Sequence, residues 1–221
     1  MPFFQTNFFG ESYLGLFGFS TDQYCLISSR LSENKLARIE ETLGVKTIPT
    51  TVFSFSLAGI MSAGNDNGVL LPYLSEDEEI ERVRKSVDNV CVVQDTFTAL
   101  GNLVVANNKG AVISNVFSEE TRKSIEGCLG VKTVRRTIAG CSEVGALCLA
   151  TNKGFVVTPN TSDKEVKELE GIFKVKGGRA SANFGSKAVG CCIVANSNGM
   201  LIGGETTPIE VDYINEALGF F

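Results

Sequence analysis

The sequence predicts an α/β propeller built from five copies of one unit and closed into a ring, and three observations predict it. Glycines 15, 59, 101, 145 and 190 recur at separations of 44, 42, 44 and 45 residues. Nine residues after each lies a tight turn, ending in Gly68, Gly110, Gly154 and Gly199 in four copies and in Tyr24 in a degenerate first copy. The fifth copy lacks the strand that ends the other four, while the chain begins with a strand-like run that no copy claims. A fixed period of this size marks a repeat architecture.

Each element of the unit has a physical reason. After its glycine comes a short apolar run, as in Leu103-Val104-Val105-Ala106 and Ala146-Leu147-Cys148-Leu149-Ala150. The turn follows: Asn65-Asp66-Asn67-Gly68, Asn107-Asn108-Lys109-Gly110, Thr151-Asn152-Lys153-Gly154 and Asn196-Ser197-Asn198-Gly199, with Thr21-Asp22-Gln23-Tyr24 in the first copy. A second apolar run comes next, Cys25-Leu26-Ile27, Val69-Leu70-Leu71, Ala111-Val112-Ile113, Phe155-Val156-Val157 and Met200-Leu201-Ile202. Asparagine and glycine reach the positive φ that hairpin turns require, so the two runs pair. Apolar on both faces, they belong at the centre of the fold.

A helix then starts. Ser75 with Glu78, Ser162 with Glu165, and Thr207-Pro208 with Glu210 read as capping boxes, and Ser32 and Ser118 as caps without the glutamate. Ile80, Val83 and Val87, or Val166, Leu169, Ile172 and Phe173, recur at helical spacing and define a packed face. A third run follows the first four helices: Val45-Lys46-Thr47-Ile48, Val90-Cys91-Val92-Val93, Val131-Lys132-Thr133-Val134 and Val175-Lys176. Pro2-Phe3-Phe4-Gln5-Thr6 is expected to supply the fifth and close the ring, leaving no open end to cap. Units this small do not fold alone. The expectation is one domain, 1–221, with repeats near 8–51, 52–94, 95–137, 138–181 and 182–221 plus strand 1–7.

Composition narrows the chemistry. The 221 residues are 43% hydrophobic and 20% charged, ordinary for a soluble globular chain. The apolar stretch Ala188–Ala195 is too short to span a membrane, and the first residues lack the basic region of a secretory leader. Seven cysteines without a C-x-x-C pair are expected to be reduced, buried thiols of a cytosolic protein, which makes the Asn160-Thr161-Ser162 sequon incidental. A net charge of −5 opposes long-range attraction to bare nucleic acid, so no DNA partner is expected.

The chain contains no histidine, which excludes Cys/His pairs, Ser/His/Asp triads and histidine metal sites. Glu76-Asp77-Glu78-Glu79-Ile80-Glu81 reads as the solvated first turn of a helix, its charges favoured by the helix dipole. The stretch from Gly177-Gly178-Arg179 to Gly185-Ser186-Lys187-Ala188 lacks the spacing of a phosphate-binding loop. No metal and no cofactor are expected. Arg135 and Arg136 are candidate phosphate-backbone contacts, although charges on an edge strand also serve to block aggregation.

Function is expected where the loops before the glycines cluster: Glu11-Ser12-Tyr13-Leu14, Phe55-Ser56-Leu57-Ala58, Thr98-Ala99-Leu100, Ser142-Glu143-Val144 and Ser186-Lys187-Ala188-Val189. Ser12, Ser56, Leu57, Leu100, Glu143, Ser186 and Lys187 are the candidate contact residues there. Gly15, Gly59, Gly145, Gly190, Gly68, Gly110, Gly154 and Gly199 are assigned structural roles.

With these motifs in place, the chain resembles the archaeal and eukaryotic translation initiation factor 6 family. The resemblance rests on Thr98-Ala99-Leu100-Gly101-Asn102, Asn67-Gly68-Val69-Leu70-Leu71-Pro72, Ala106-Asn107-Asn108-Lys109-Gly110, Thr151-Asn152-Lys153-Gly154 and Gly203-Gly204-Glu205-Thr206-Thr207, and covers essentially the whole chain. It implies the pentein fold and a non-enzymatic factor; the cytoplasmic location is expected from the reduced thiols, and a monomer from the few free edges of a closed ring. It further implies binding to the intersubunit face of the large ribosomal subunit, against a ribosomal protein near the sarcin-ricin loop, which blocks premature joining of the small subunit and serves large-subunit maturation. The family's Leu-Gly-Asn motif corresponds to Leu100, Gly101 and Asn102, which makes Asn102 the leading contact residue. Ile60 stands where eukaryotic members tend to carry a basic residue, and the chain stops at Phe221 without their C-terminal tail, so an archaeal-type member is expected and regulation through that tail is not carried over. A ring-shaped adaptor for another partner is the alternative. A pentein guanidine-modifying enzyme using Cys25, Cys148 or Cys191 is a more distant one, because such enzymes also need a histidine.

Overall fold

The computed structural model describes residues 3–221, so Pro2 of the expected closing strand lies outside the described residues. After β1 (Phe3–Thr6), the first blade comprises a 3-10 turn (Leu14–Leu16), β2 (Gly18–Ser20), β3 (Tyr24–Ser28), α1 (Glu33–Leu43) and β4 (Lys46–Thr50). The second has α2 (Ala58–Met61), β5 (Ala63–Asn65), β6 (Gly68–Pro72), α3 (Asp77–Arg84) and β7 (Val90–Val93). The third has α4 (Leu100–Leu103), β8 (Val104–Ala106), β9 (Ala111–Ser114), α5 (Glu119–Leu129) and β10 (Thr133–Arg136). The fourth has α6 (Val144–Leu147), β11 (Cys148–Ala150), β12 (Gly154–Val157), α7 (Asp163–Phe173) and β13 (Lys176–Arg179). The fifth has α8 (Val189–Cys192), β14 (Ile193–Ala195), β15 (Met200–Gly203) and α9 (Pro208–Ala217).

Each blade is a three-stranded sheet: an antiparallel hairpin, then a helical crossover to a third strand parallel to the central one. In the fifth blade β1 takes that place, pairing in parallel with β15 from Phe3 opposite Met200 to Thr6 opposite Gly203. The ring therefore closes with residues from both ends of the chain in one sheet, in the five-bladed pentein arrangement.

The apolar residues form five clusters, each between neighbouring blades. Leu26 and Ile48 of the first blade pack with Val69, Ile80 and Val83 of the second, and Val194 and Leu201 of the fifth pack with Cys25, Ile27 and Ile39 of the first. A blade by itself would leave half of two cores in water, which is the physical ground for repeats that fold only together.

The structure corrects several expectations. Cys91 and Cys128 form a disulfide, with Cα atoms 6.1 Å apart, in place of two reduced thiols; the other five cysteines are free. The packing of α5 on β7 across the blade boundary brings the two together, and sequence spacing carries no trace of it. The capping box of α3 uses Glu76 and Glu79 in place of Ser75 and Glu78. Ser32 precedes α1 without a side-chain cap bond, whereas Ser118, Ser162 and Thr207 cap as expected. The one-turn helices α2, α4, α6 and α8 around the axial glycines are too short to leave a periodic pattern. Strands β4, β10 and β13 begin one or two residues later than the apolar runs suggest, because Val45, Val131 and Val175 follow left-handed caps at Gly44, Gly130 and Lys174.

Candidate functional site

The five period-defining glycines meet around the axis. A methyl group on Gly59 would overlap the Gly15 carbonyl oxygen, one on Gly101 that of Gly59, one on Gly145 that of Gly101, one on Gly190 that of Gly145, and one on Gly15 that of Gly190. The relation runs once round and returns to its start. The residue before each glycine, Leu14, Ala58, Leu100, Val144 and Val189, is wholly buried. The residue after each, Leu16, Ile60, Asn102, Ala146 and Cys191, is half-buried at the mouth of the axis. Asn102 is the one polar side chain in that ring. Among the described residues no group bonds its carboxamide, so two N–H donors and an oxygen acceptor stay free. Behind it a narrow axial cavity of about 80 Å³ is lined by the glycines, Phe19, Ser20 and Cys191.

The hairpin turns seal the opposite end. The backbone N–H of Asp22 donates to Asp66 (2.9 Å), that of Asp66 to Asn108 (3.1 Å) and that of Asn108 to Asn152 (2.9 Å). The Asn152 amide and the Ser197 N–H and hydroxyl return to the Asp22 carboxylate. Asn65, Asn107 and Asn196 each donate from buried side chains to two carbonyls of the adjacent blade. The turn asparagines thus join blades as well as make turns.

The loops leading to the glycines are tight and left-handed: φ is positive at Phe9 and Gly10, Phe53 and Ser54, Ala139 and Gly140, and Asn183, Phe184 and Gly185. Non-glycine residues pay for that conformation in steric strain, and helix-cap glutamates offset it. Glu79 accepts from Phe53 N (2.8 Å) and Ser54 N (2.9 Å), Glu165 from Ala139 N (3.0 Å), and Glu210 from Gly185 N (2.8 Å), Phe184 N and the Ser181 hydroxyl. Each also closes its own capping box. Burial alone would raise the Glu79 and Glu210 carboxyls, but bonds from Thr51, Glu76, Ser54 and Phe53 to the first, and from Ser181, Thr207 and Gly185 to the second, outweigh it and hold both below the usual carboxylate range. In the third blade Asp95 accepts from Phe97 N and from the Thr121 hydroxyl of α5 and so ties the loop to that helix.

These loops expose phenylalanine in four blades: Phe9, Phe55, Phe97 and, at 84% accessibility, Phe184. Exposed aromatics placed around one axis are a mark of an interaction surface. Phe55 and Phe97 lie four residues before their glycines and Phe9 and Phe184 six before theirs, so they occupy two different loop positions, and only their exposure separates them from core aromatics such as Phe8 and Phe117.

Among the sequence-derived candidates, Glu143 and Lys187 are exposed, while Ser56, Leu57 and Ser186 are half-buried, all near the axial mouth. Ser12 is buried: its hydroxyl donates to Asn7 and its carbonyl accepts from Asn183, which makes it a strut of the fifth blade junction. Leu100 is also buried. Arg135 and Arg136 lie on β10, away from the mouth, and their charges are met by Glu119 and Glu168. The thiols of Cys25, Cys148 and Cys191 are poor nucleophiles: burial pushes Cys25 up to about 12 and Cys191 to about 11, and drives Cys148 upward as well. Among the described residues no cluster of potential metal ligands occurs, and no helix is long and apolar enough to cross a membrane.

Comparison with known proteins agrees with this architecture. The profile of the eIF-6 family matches residues 3–217. The chain is 46% identical over 220 residues to translation initiation factor 6 of Pyrococcus furiosus and 41% identical over 220 residues to that of Pyrococcus horikoshii, covering 97% of each partner in both pairs. It is 38% identical over 214 residues to the Thermoplasma acidophilum protein of the same name, covering 98% of it.

Proposed function

Because the chain belongs to the eIF-6 family of translation initiation factors, we propose that its axial face binds the large ribosomal subunit in the cytoplasm and keeps the small subunit from joining by occupancy alone. The observation that carries this reading is Asn102. It is a lone, unpaired carboxamide among the residues that follow the axial glycines, on a closed ring whose loops expose phenylalanines. A preorganised polar centre within an apolar rim loses little entropy on docking and rejects partners that leave it unmatched. The reading needs no catalytic group, in keeping with raised thiols and the absence of histidine.

Co-sedimentation with isolated subunits tests it. The protein is expected to pellet with the large subunit and not the small one, and Asn102→Ala to weaken that binding by about 1–2 kcal/mol, the cost of leaving buried partner groups unpaired. Unchanged affinity in a folded Asn102→Ala variant would remove Asn102 from the interface, and pelleting with neither subunit would favour the adaptor reading.

A further inference from the structure

The outer strand of each blade exposes one backbone edge, and such edges are ordinarily guarded. Strand β4 carries Lys46 and Pro49, β10 carries Arg135 and Arg136, and β13 carries Lys176 and Arg179. On β1, Lys35 and Arg38 lie over the Phe4 ring, at 5.2 and 5.0 Å from its centroid. Strand β7, Val90-Cys91-Val92-Val93, has no such guard. A second protection is also missing. Glu40 of α1 accepts from Thr47 N (2.9 Å) and Glu126 of α5 from Thr133 N (2.8 Å), satisfying the first outward amide of β4 and β10. By sheet register the corresponding amide in the second blade is that of Val90. The matching helix position there holds Arg84, which pairs with Glu81 at 2.7 Å and leaves the edge alone.

The edge is positioned for pairing. Val69 donates to Asn89 and Tyr73 to Val93, so alternate residues of β7 face β6 and the peptide groups of Val90 and Val92 face outward. Cys91, between them, is tied covalently to α5. Beside the C-terminal half of the strand runs a groove of about 650 Å³ lined by Tyr73, Val92, Asp95, Glu120, Thr121 and neighbouring hydroxyls, with two carboxylates and no lysine or arginine.

We propose that β7 is a β-augmentation site that accepts an extended, lysine- or arginine-bearing segment of another protein as a fourth strand of the second blade. Main-chain bonds to Val90 and Val92 supply affinity, and Asp95 and Glu120 select basic side chains, with the exposed Tyr73 ring open to a cation. A second copy of the chain fits poorly, since pairing two such edges would oppose two acidic grooves in a protein of net charge −5. The proposal is independent of the axial face.

The test uses a fluorescein-labelled Lys-Val-Lys-Val-Lys-Val-Lys-Val peptide, with the Glu-Val repeat as control, read by anisotropy and by amide hydrogen exchange. The basic peptide is expected to bind and the acidic one not, with Val90 and Val92 gaining protection. Val92→Pro, which removes an outward donor, and Glu120→Lys, at an exposed helix position, are each expected to weaken binding by about tenfold or more, while Asn102→Ala leaves it unchanged. No binding at low salt, protection elsewhere in the ring, or indifference to Glu120→Lys overturns the proposal. So does a concentration-dependent dimer on gel filtration that Val92→Pro abolishes, which would give the edge to a second copy.

Discussion

Residues at equivalent positions carry unequal burdens. The five axial glycines are fixed by contact with a neighbouring backbone carbonyl, a constraint independent of φ. Gly101→Ala drives a methyl group into the Gly59 carbonyl oxygen with backbone on both sides and nothing flexible to yield. A loss of about 3 kcal/mol is expected, roughly 6–12 °C in melting temperature by calorimetry. Gly127, exposed on α5, has no atom near its absent Cβ, and Gly127→Ala in the same assay is expected to be neutral or stabilising. The following position shows the converse. Packing permits any half-buried side chain there, so an asparagine among Leu16, Ile60, Ala146 and Cys191 is not required by the fold, and its polarity is free for use by a partner.

At the scale of the element, helix caps and surface loops are one device. Glu79, Glu165 and Glu210 cap the starts of their helices and hold the left-handed loops that display Phe55, Cys141 and Phe184. Folded-state pKa values depressed below the ordinary 4.5 make their contribution full above that value and lost as pH falls through the lower folded one. Acidification below about pH 4.5 is therefore expected to loosen the axial loops, with lower hydrogen-exchange protection factors at the Phe53, Ser54 and Gly185 amides. Glu210→Gln should cost about 2 kcal/mol at neutral pH, as charged acceptors of several bonds do, and should flatten the acid limb of the stability curve. An unaltered acid limb in that variant would show that Glu210 is not a source of it.

For the whole molecule, closure is made several times over: by β1 in the fifth sheet, by the glycine ring, by the Asp22 carboxylate taking bonds from the fourth and fifth turns, and by an apolar core at every blade boundary. The Cys91–Cys128 bridge adds a covalent tie between the second and third blades, spanning 37 residues. Constraint of the unfolded chain by a loop of that length is worth about 3–4 kcal/mol. Denaturation with and without reductant is expected to differ by that amount, Cys91→Ser should match the reduced protein, and mass spectrometry without reduction should show the bridge. Superimposable curves would show that the bridge adds no stability.

The sequence by itself determined the five-unit ring, the order of its strands and long helices, and the position of its axis, because those follow from local chemistry: glycine and asparagine at turns, apolar runs, capping residues and a conserved spacing within the one chain. It also placed Asn102 at the mouth, through the family motif Leu100-Gly101-Asn102. Tertiary structure alone decided what depends on residues far apart in sequence. It selected Glu76 and Glu79 as the cap of α3, because a loop more than twenty residues earlier needed the same carboxylate. It buried Ser12, satisfied Arg135 and Arg136 with glutamates, joined Cys91 to Cys128, and left Phe184 in water while Phe173 went to the core. Burial and pairing are properties of the closed ring, and periodicity within one unit cannot express which of five similar loops meets solvent and which meets a neighbour.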